Sequence, residues 1–197
     1  MLLKPTSAII LAAGFSTRMG QPKFGLKLPD GKSFLENIVQ QYFDFGCDEI
    51  IVVINSEGGR YLKENPFKFN KNLNFALNQS PESGRFGSVQ CGVNALKTKK
   101  PVFIHNVDNP YARAETLKML SDNLAAFDFV NPVYNGSGGH PILIGEKVTH
   151  TIINQTDPSI KLRSFLKQFN QKEVDVEDPS ILFNINTIKD YQQLFNI

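Results

Sequence analysis

Residues 8–11, Ala8-Ile9-Ile10-Leu11, are apolar without a break. A strand packed on one face alternates apolar and polar side chains, whereas a strand covered on both faces reads as a continuous apolar run. This segment is therefore read as a buried strand of a parallel sheet. Similar runs return at Ile50-Ile51-Val52-Val53-Ile54 and Val102-Phe103-Ile104, with amphipathic stretches between them. That alternation predicts an α/β fold with a mainly parallel central sheet flanked by helices. A chain of 197 residues fits one domain, so 1–197 is read as a single unit.

Local signals place further elements along the chain. Ser33-x-x-Glu36 is a capping box that opens a helix, and Gly46 closes it. Residues 55–59 read as a loop after the second strand, and 73–77 as a short strand. Residues 83–88 read as a glycine- and serine-containing loop before a helix over 89–96. The strand from Val102 runs to about Val107, followed by a helix over 112–126 and an extended segment over 129–133. His140-Pro141-Ile142-Leu143-Ile144 reads as a strand with proline near its start or at a sheet edge. Asp157-Pro158 reads as a cap and first helical position, with the helix running to about Gln168. Val174 and Val176 alternate with acids on an edge strand, and Thr187-x-x-Asp190 is a second capping box opening the terminal helix.

Composition narrows the function classes. A net charge of +2 gives no basic field for a nucleic acid or a membrane surface. The lysines at 97, 99 and 100 read as a solvated helix end. The two cysteines, Cys47 and Cys91, are far apart and lack metal-site spacing. Both are read as small buried hydrophobes. Lys4 and the following apolar run are too short for a signal peptide, and no stretch has transmembrane length. A reducing cytoplasm is the expected location.

The strongest chemical signal follows the first strand. Between 11 and 23 the chain supplies Ala12, Ala13, Gly14, Ser16, Arg18, Gly20 and Lys23. Small residues let a ligand approach the backbone, and loop N–H groups can point at phosphate oxygens. Arg18 and Lys23 supply cations that neutralise phosphate charge. The loop thus suits a polyanion such as a nucleoside triphosphate, although each glycine taken alone signals only a tight turn. Neither G-x-x-x-x-G-K-[ST] nor a G-x-G-x-x-G after a strand is present.

The full string Leu11-Ala12-Ala13-Gly14-x-Ser16-x-Arg18-Met19-Gly20-x-Pro22-Lys23 resembles the N-terminal motif of the nucleotidyltransferases of molybdenum cofactor synthesis. These are the cytidylyltransferase and guanylyltransferase that attach a nucleotide to molybdopterin, and their relatives. Wider nucleotidyltransferase families share a looser version of the motif. The resemblance implies a Rossmann-like, GT-A-like nucleotidyltransferase fold, in which Leu11, Ala12, Ala13, Gly14 and Ser16 bind nucleotide and Arg18 and Lys23 are catalytic. It implies Mg²⁺ as cofactor, CTP or GTP as donor and a phosphorylated small molecule as acceptor.

Later segments resemble the same family in order. Asp108-x-Pro110 matches its metal-binding Asp-x-Pro after a buried strand, with Val107 where the family usually has glycine. From the residues alone, Asp108 reads either as a turn former or as a Mg²⁺ ligand. Gly84 and Ser88, in Gly84-x-x-x-Ser88-x-x-x-Gly92, resemble the segment beside base and phosphates. A capped helix with Gly92 at a close packing point is the other reading. Arg85, less typical of the family, is either an added phosphate contact or a surface residue.

Gly138-Gly139-His140-Pro141 resembles the Gly-His-Pro of the cytidylyltransferase branch, which would face His140 to the acceptor. Asn184-Ile185-Asn186-Thr187 resembles a guanylyltransferase motif, which would put Asn184 and Asn186 in the pocket and Asn186 near the metal. Alternation places both on one side of an extended segment. Arg163 occupies a region where the family often carries a basic acceptor contact. Structural roles remain open for all four; His105 reads as a satisfied core histidine. A sugar- or polyol-phosphate nucleotidyltransferase shares this fold and loop, and a non-catalytic nucleotide-binding chaperone or regulator is the alternative of another class. Transient contact with an acceptor-supplying or cofactor-receiving protein is the partner class left open.

Overall fold

The computed structural model describes residues 5–17, 19–67, 73–98, 100–157 and 159–195. Strand β1 (Ser7–Leu11) pairs in parallel with β2 (Glu49–Ile54) on one side and β4 (Val102–Asn106) on the other, and β3 (Leu73–Leu77) extends the sheet beyond β2. The short β7 (Ile142–Ile144) then runs antiparallel between β4 and β5 (Phe129–Tyr134). The two-residue β6 (Ser137–Gly138) pairs with the end of β5, and β8 (Gln171–Asp175) lies parallel along β5. The sheet is α/β and mainly parallel, as the apolar runs predicted.

Those runs are apolar because both faces of the sheet are covered. Ala8 and Ile10 enter one core and Ile9 and Leu11 the other; Ile50, Val52 and Ile54 separate from Ile51 and Val53 in the same way. On the first face lie α1 (Phe34–Phe45) and α4 (Ala114–Asn123). On the second lie α3 (Gly84–Ala95) and α5 (Glu146–Ile153). Gly92 allows α3 to lie against the sheet, since a Cβ there would stand 2.5 Å from Ile9 Cγ2. Burial of each isoleucine of β1 contributes about 1.5–3 kcal/mol.

Both capping boxes form. Ser33 Oγ accepts from the Glu36 amide at 3.1 Å and Glu36 accepts from the Ser33 amide at 2.7 Å. Gly46 closes α1 in the left-handed region at φ 95°. Thr187 and Asp190 exchange the same pair of bonds at the start of α7 (Ile188–Phe195).

Several expected boundaries move. The segment read as a loop over 55–59 opens a helix, α2 (Ser56–Glu64), because Asn55 Oδ1 accepts from the Gly58 amide at 2.7 Å and caps it. Helix α3 starts at Gly84, not at 89. The 112–126 segment is α4 followed by a 3-10 turn, Leu124–Ala126. The helix expected from Asp157 shrinks to α6 (Leu162–Leu166), and Asp157 Oδ1 instead holds a local turn through Ser159. Pro158 and Lys99 lie outside the described residues. Cys47 is buried, but Cys91 is only half-buried, so the reading of both as buried hydrophobes holds for the first alone. No helix among the described residues is long and apolar enough to cross a membrane.

Candidate active site

Strand order places a crevice at a defined point. From β1 the chain passes to β2 on one side, while β4 lies on the other. Loops leaving β1 and β4 at their carboxyl ends therefore diverge, and open α/β sheets bind ligands at such a divide. A cavity of about 340 Å³ lies there, walled by the 11–17 loop, Lys23, the start of α3, residues 106–108 and Asn186.

The 11–17 loop is held from behind. Ala12 N donates to the Val53 carbonyl at 2.8 Å, and Asn55 Nδ2 donates to the Ala13 carbonyl at 3.0 Å. Thus the residue that caps α2 also fixes this loop, a role that sequence reasoning missed. Leu11, Ala12, Ala13, Gly14 and Ser16 all line the cavity. A Cβ at Gly14 would meet nothing within 4 Å, so its face is open space. Ser16 adopts φ 49°, and its hydroxyl accepts from the Lys23 amide at 3.1 Å, which closes the loop onto Lys23. Arg18 lies outside the described residues.

Lys23 joins parts of the chain that are far apart in sequence. Its Nζ donates to Asn186 Oδ1 at 2.6 Å and lies 3.9 Å from Asp108 Oδ2. Asn186 arrives because the Ile185 amide donates to the Asp108 carbonyl at 2.9 Å, drawing 184–187 alongside the end of β4. Asn186 Nδ2 also donates to Asn184 Oδ1 at 2.7 Å, so the two asparagines meet as alternation predicted. Asp108 sits in the turn after β4, and its side chain is 19 % exposed. Burial raises the Asp108 carboxyl above the usual carboxylate range, opposed by the charges of Lys23 and Arg85. Turn former and site residue are thus the same side chain. Asn106 is buried and lines the cavity too, a residue that no sequence signal marked.

The donor set admits a particular kind of ion. Asp108 offers one carboxylate, while the Asn186 amide oxygen is already taken by the Lys23 ammonium. Among the described residues no group of three His, Cys, Asp or Glu could cage a metal. Mg²⁺-like cations are held by one or two carboxylates, waters and substrate phosphates rather than by an all-protein cage. The residues present therefore fit a hard divalent cation shared with a triphosphate.

Ser88 is the fifth residue of α3 and does not cap it. Its hydroxyl accepts from Asn78 Nδ2 at 3.0 Å and donates to the Gly84 carbonyl at 3.4 Å, and it lines the cavity with Gly84. Helix α3 has no side-chain cap; the Gly84 amide donates to the Pro81 carbonyl, and Gly84, Arg85 and Ser88 of its first turns line the cavity.

The residues expected around an acceptor do not share one place. Asn186 lines the first cavity, His140 and Arg163 line a second of about 1030 Å³, and Asn184, expected in the pocket, lines neither and reaches the first only through its bond to Asn186. His140 Nδ1 is buried with no hydrogen-bond partner. Burial, with Arg85 and His105 nearby, pushes its imidazole down to about 3, so the ring is neutral. His105 belongs to the core: Nε2 donates to the Asn109 carbonyl and Nδ1 accepts from Tyr42 Oη, both at 2.8 Å. Complete burial pushes His105 down to about 4.

Comparison with known proteins shows the family and the fold. The model of the MobA-like NTP transferase domain matches residues 8–174. The molybdenum cofactor cytidylyltransferase of Escherichia coli K12 is 28 % identical over 93 % of this chain and 92 % of its own length. A probable molybdenum cofactor guanylyltransferase of Natranaerobius thermophilus is 29 % identical over 95 % of this chain and 93 % of its own length. The crystal structure of Rv0371c from Mycobacterium tuberculosis H37Rv shares the fold with a TM-score of 0.81 at 18 % identity, covering 98 % of this chain and 100 % of that one. A manganese complex of the same protein superposes with a TM-score of 0.76 at 16 % identity, covering 98 % of this chain and 99 % of that one. The chain thus belongs to the MobA-like NTP transferase family and is a nucleotidyltransferase.

Proposed function

We propose that this protein transfers a nucleoside monophosphate from CTP or GTP to a phosphorylated acceptor, molybdopterin, in a Mg²⁺-dependent reaction. The observation that carries the reading is the convergence of Lys23, Asp108 and Asn186 in one cavity at the carboxyl ends of β1 and β4. Two relatives named for molybdenum cofactor nucleotidyl transfer, each matched over more than nine-tenths of this chain, support the acceptor.

The chemistry asks little of a base. An oxygen of the acceptor's phosphate monoester, already anionic, forms a bond to the α-phosphorus. The bond from that phosphorus to its bridging oxygen breaks, and pyrophosphate leaves with the electron pair. Catalysis is then alignment and charge stabilisation. The 11–17 loop and the uncapped start of α3 would bind phosphate oxygens through backbone N–H groups. Lys23 would hold negative charge that develops on the departing pyrophosphate, with Asn186 fixing its ammonium; Arg18 is assigned the same charge-stabilising role from sequence. Asp108 is the residue that would hold Mg²⁺, which when bound supplies positive charge to the triphosphate oxygens; Asn186, expected near the metal, instead gives its amide oxygen to the Lys23 ammonium. His140 and Arg163 would face the acceptor.

Pyrophosphate release measured with Mg²⁺ and CTP or GTP, with and without molybdopterin, tests the reading. The expected result is release with one nucleotide only when molybdopterin is present, and the Gly-His-Pro segment favours CTP. Binding of a nucleotide without turnover on molybdopterin removes that acceptor, and release with a sugar or polyol phosphate would replace it.

A further inference from the structure

The two cavities share two wall residues, Gly84 and Arg85. Gly84 has no side chain, so among the described residues Arg85 is the one side chain they hold in common. It projects from the first turn of α3. Its charge acts on Asp108 on one side and on His140 on the other. Among the described residues no salt bridge occupies the Arg85 guanidinium.

The second cavity has the character of a site for an anion carried on an apolar body. Lys161, Arg163 and Lys167 line it against Glu173, the single acid of its wall among the described residues, and Phe86 and Phe129 form part of that wall. Arg163 lines that cavity alone, so it cannot touch both reactants from the wall it occupies. A guanidinium presents a planar fork of donors that matches a phosphate bidentately. An arginine at that junction can hold the acceptor phosphate beside the nucleotide cavity.

We propose that Arg85 is the residue that positions the acceptor, its guanidinium binding the acceptor phosphate at the junction of the two cavities and holding it against the α-phosphorus. This rests on the nucleotidyl-transfer reading, and the test separates the two. Phenyl phosphate serves as a probe of the acceptor phosphate in wild type, Arg85→Lys and Arg85→Ala, each loaded with Mg²⁺ and α,β-methylene-CTP. Titration calorimetry gives the affinity for both ligands. Because Arg85 is exposed, both variants should fold, which thermal melting checks.

The expected result is a loss of roughly 10–100-fold in phenyl phosphate affinity for Arg85→Ala, the scale of a charge-assisted hydrogen bond to phosphate. Arg85→Lys should fall between, because it keeps the charge and loses the fork. Nucleotide affinity should change by less than about threefold. With molybdopterin, Arg85→Ala should raise the acceptor KM and lower kcat while the nucleotide KM stays near wild type. Wild-type affinity for phenyl phosphate in Arg85→Ala, an effect confined to the nucleotide, or no probe binding by wild type would each overturn the inference. Probe binding that depends on Arg85, without pyrophosphate release on any phosphorylated acceptor, would instead overturn the proposed reaction and leave the Arg85 site standing.

Discussion

Replacement of Lys23 by methionine removes one charge and keeps the length of the side chain. The 2.6 Å bond to Asn186 Oδ1 and the 3.9 Å approach to Asp108 Oδ2 go with it. The Lys23 side chain is 14 % exposed, so its charge acts in a largely water-excluded pocket. Loss of one preorganised electrostatic group of this kind costs about 2.7–4 kcal/mol at the transition state, or 10²–10³ in kcat. Folding should suffer far less, about 1 kcal/mol for one hydrogen bond at a half-buried amide. The assay is steady-state pyrophosphate release at saturating nucleotide and acceptor, with thermal melting on the same samples. Asn186→Ala is the companion variant, since it leaves the charge but frees the ammonium from its partner. It should cost less than Lys23→Met, and the double variant should cost little more than Lys23→Met alone, because residues acting as a unit are not additive. A folded Lys23→Met enzyme within threefold of wild-type kcat, or strictly additive losses, would refute the reasoning.

Other consequences follow from particular contacts. Gly92→Ala places a methyl 2.5 Å from Ile9 Cγ2, so it should cost about 1–3 kcal/mol and lower Tm by several degrees; an unchanged Tm would show that α3 is not pressed on β1. Asn55→Ala removes both the α2 cap and the bond to the Ala13 carbonyl. It should cost about 1–2 kcal/mol and weaken nucleotide binding as well, and intact binding would mean that the loop does not depend on this tie. Acid should destabilise the fold before the carboxylates titrate. His105, pushed down to about 4 in the native state, takes up a proton near 6.5 when unfolded, so its contribution is complete above about 6.5 and is lost as pH falls toward about 4. That loss is ~3 kcal/mol, visible as a falling urea midpoint between pH 7 and 4.5; His140, pushed down to about 3, adds a loss of the same sign, so His105→Gln should lessen the slope without abolishing it, and an equal slope in the variant would assign the effect elsewhere.

The legible parts of the molecule were those written locally. The continuous apolar runs showed β1, β2 and β4 because each is buried on both faces. Ser33 with Glu36, and Thr187 with Asp190, announced helix starts because a capping box is complete within four residues. The 11–23 loop could be read as the wall of a site because its small and cationic residues are contiguous, and residues 11–17 and Lys23 do line the cavity. What escaped was decided by tertiary contact. Gly58 and Gly59 read as loop, yet the Asn55 cap and the packing of Gly58, whose Cβ would lie 3.2 Å from Phe24, hold them in α2. No local pattern assigned Glu146–Ile153 to a helix, or told β7 to run against its neighbours. The meeting of Lys23 with Asn186 spans 163 residues, a separation at which only resemblance to a family pointed to the pair. Asn106 and Asn55 carry no signal in sequence, since a single asparagine at a strand end is common to most α/β chains.

Asp108 is the residue on which the proposed chemistry depends most directly. Mg²⁺-dependent pyrophosphate release by wild type and Asp108→Ala, measured side by side with both nucleotides and molybdopterin, should show a drop of about 10²–10³ in turnover for a variant that still melts cooperatively. Wild-type turnover in a folded Asp108→Ala protein would contradict the assignment of this cavity as the catalytic centre.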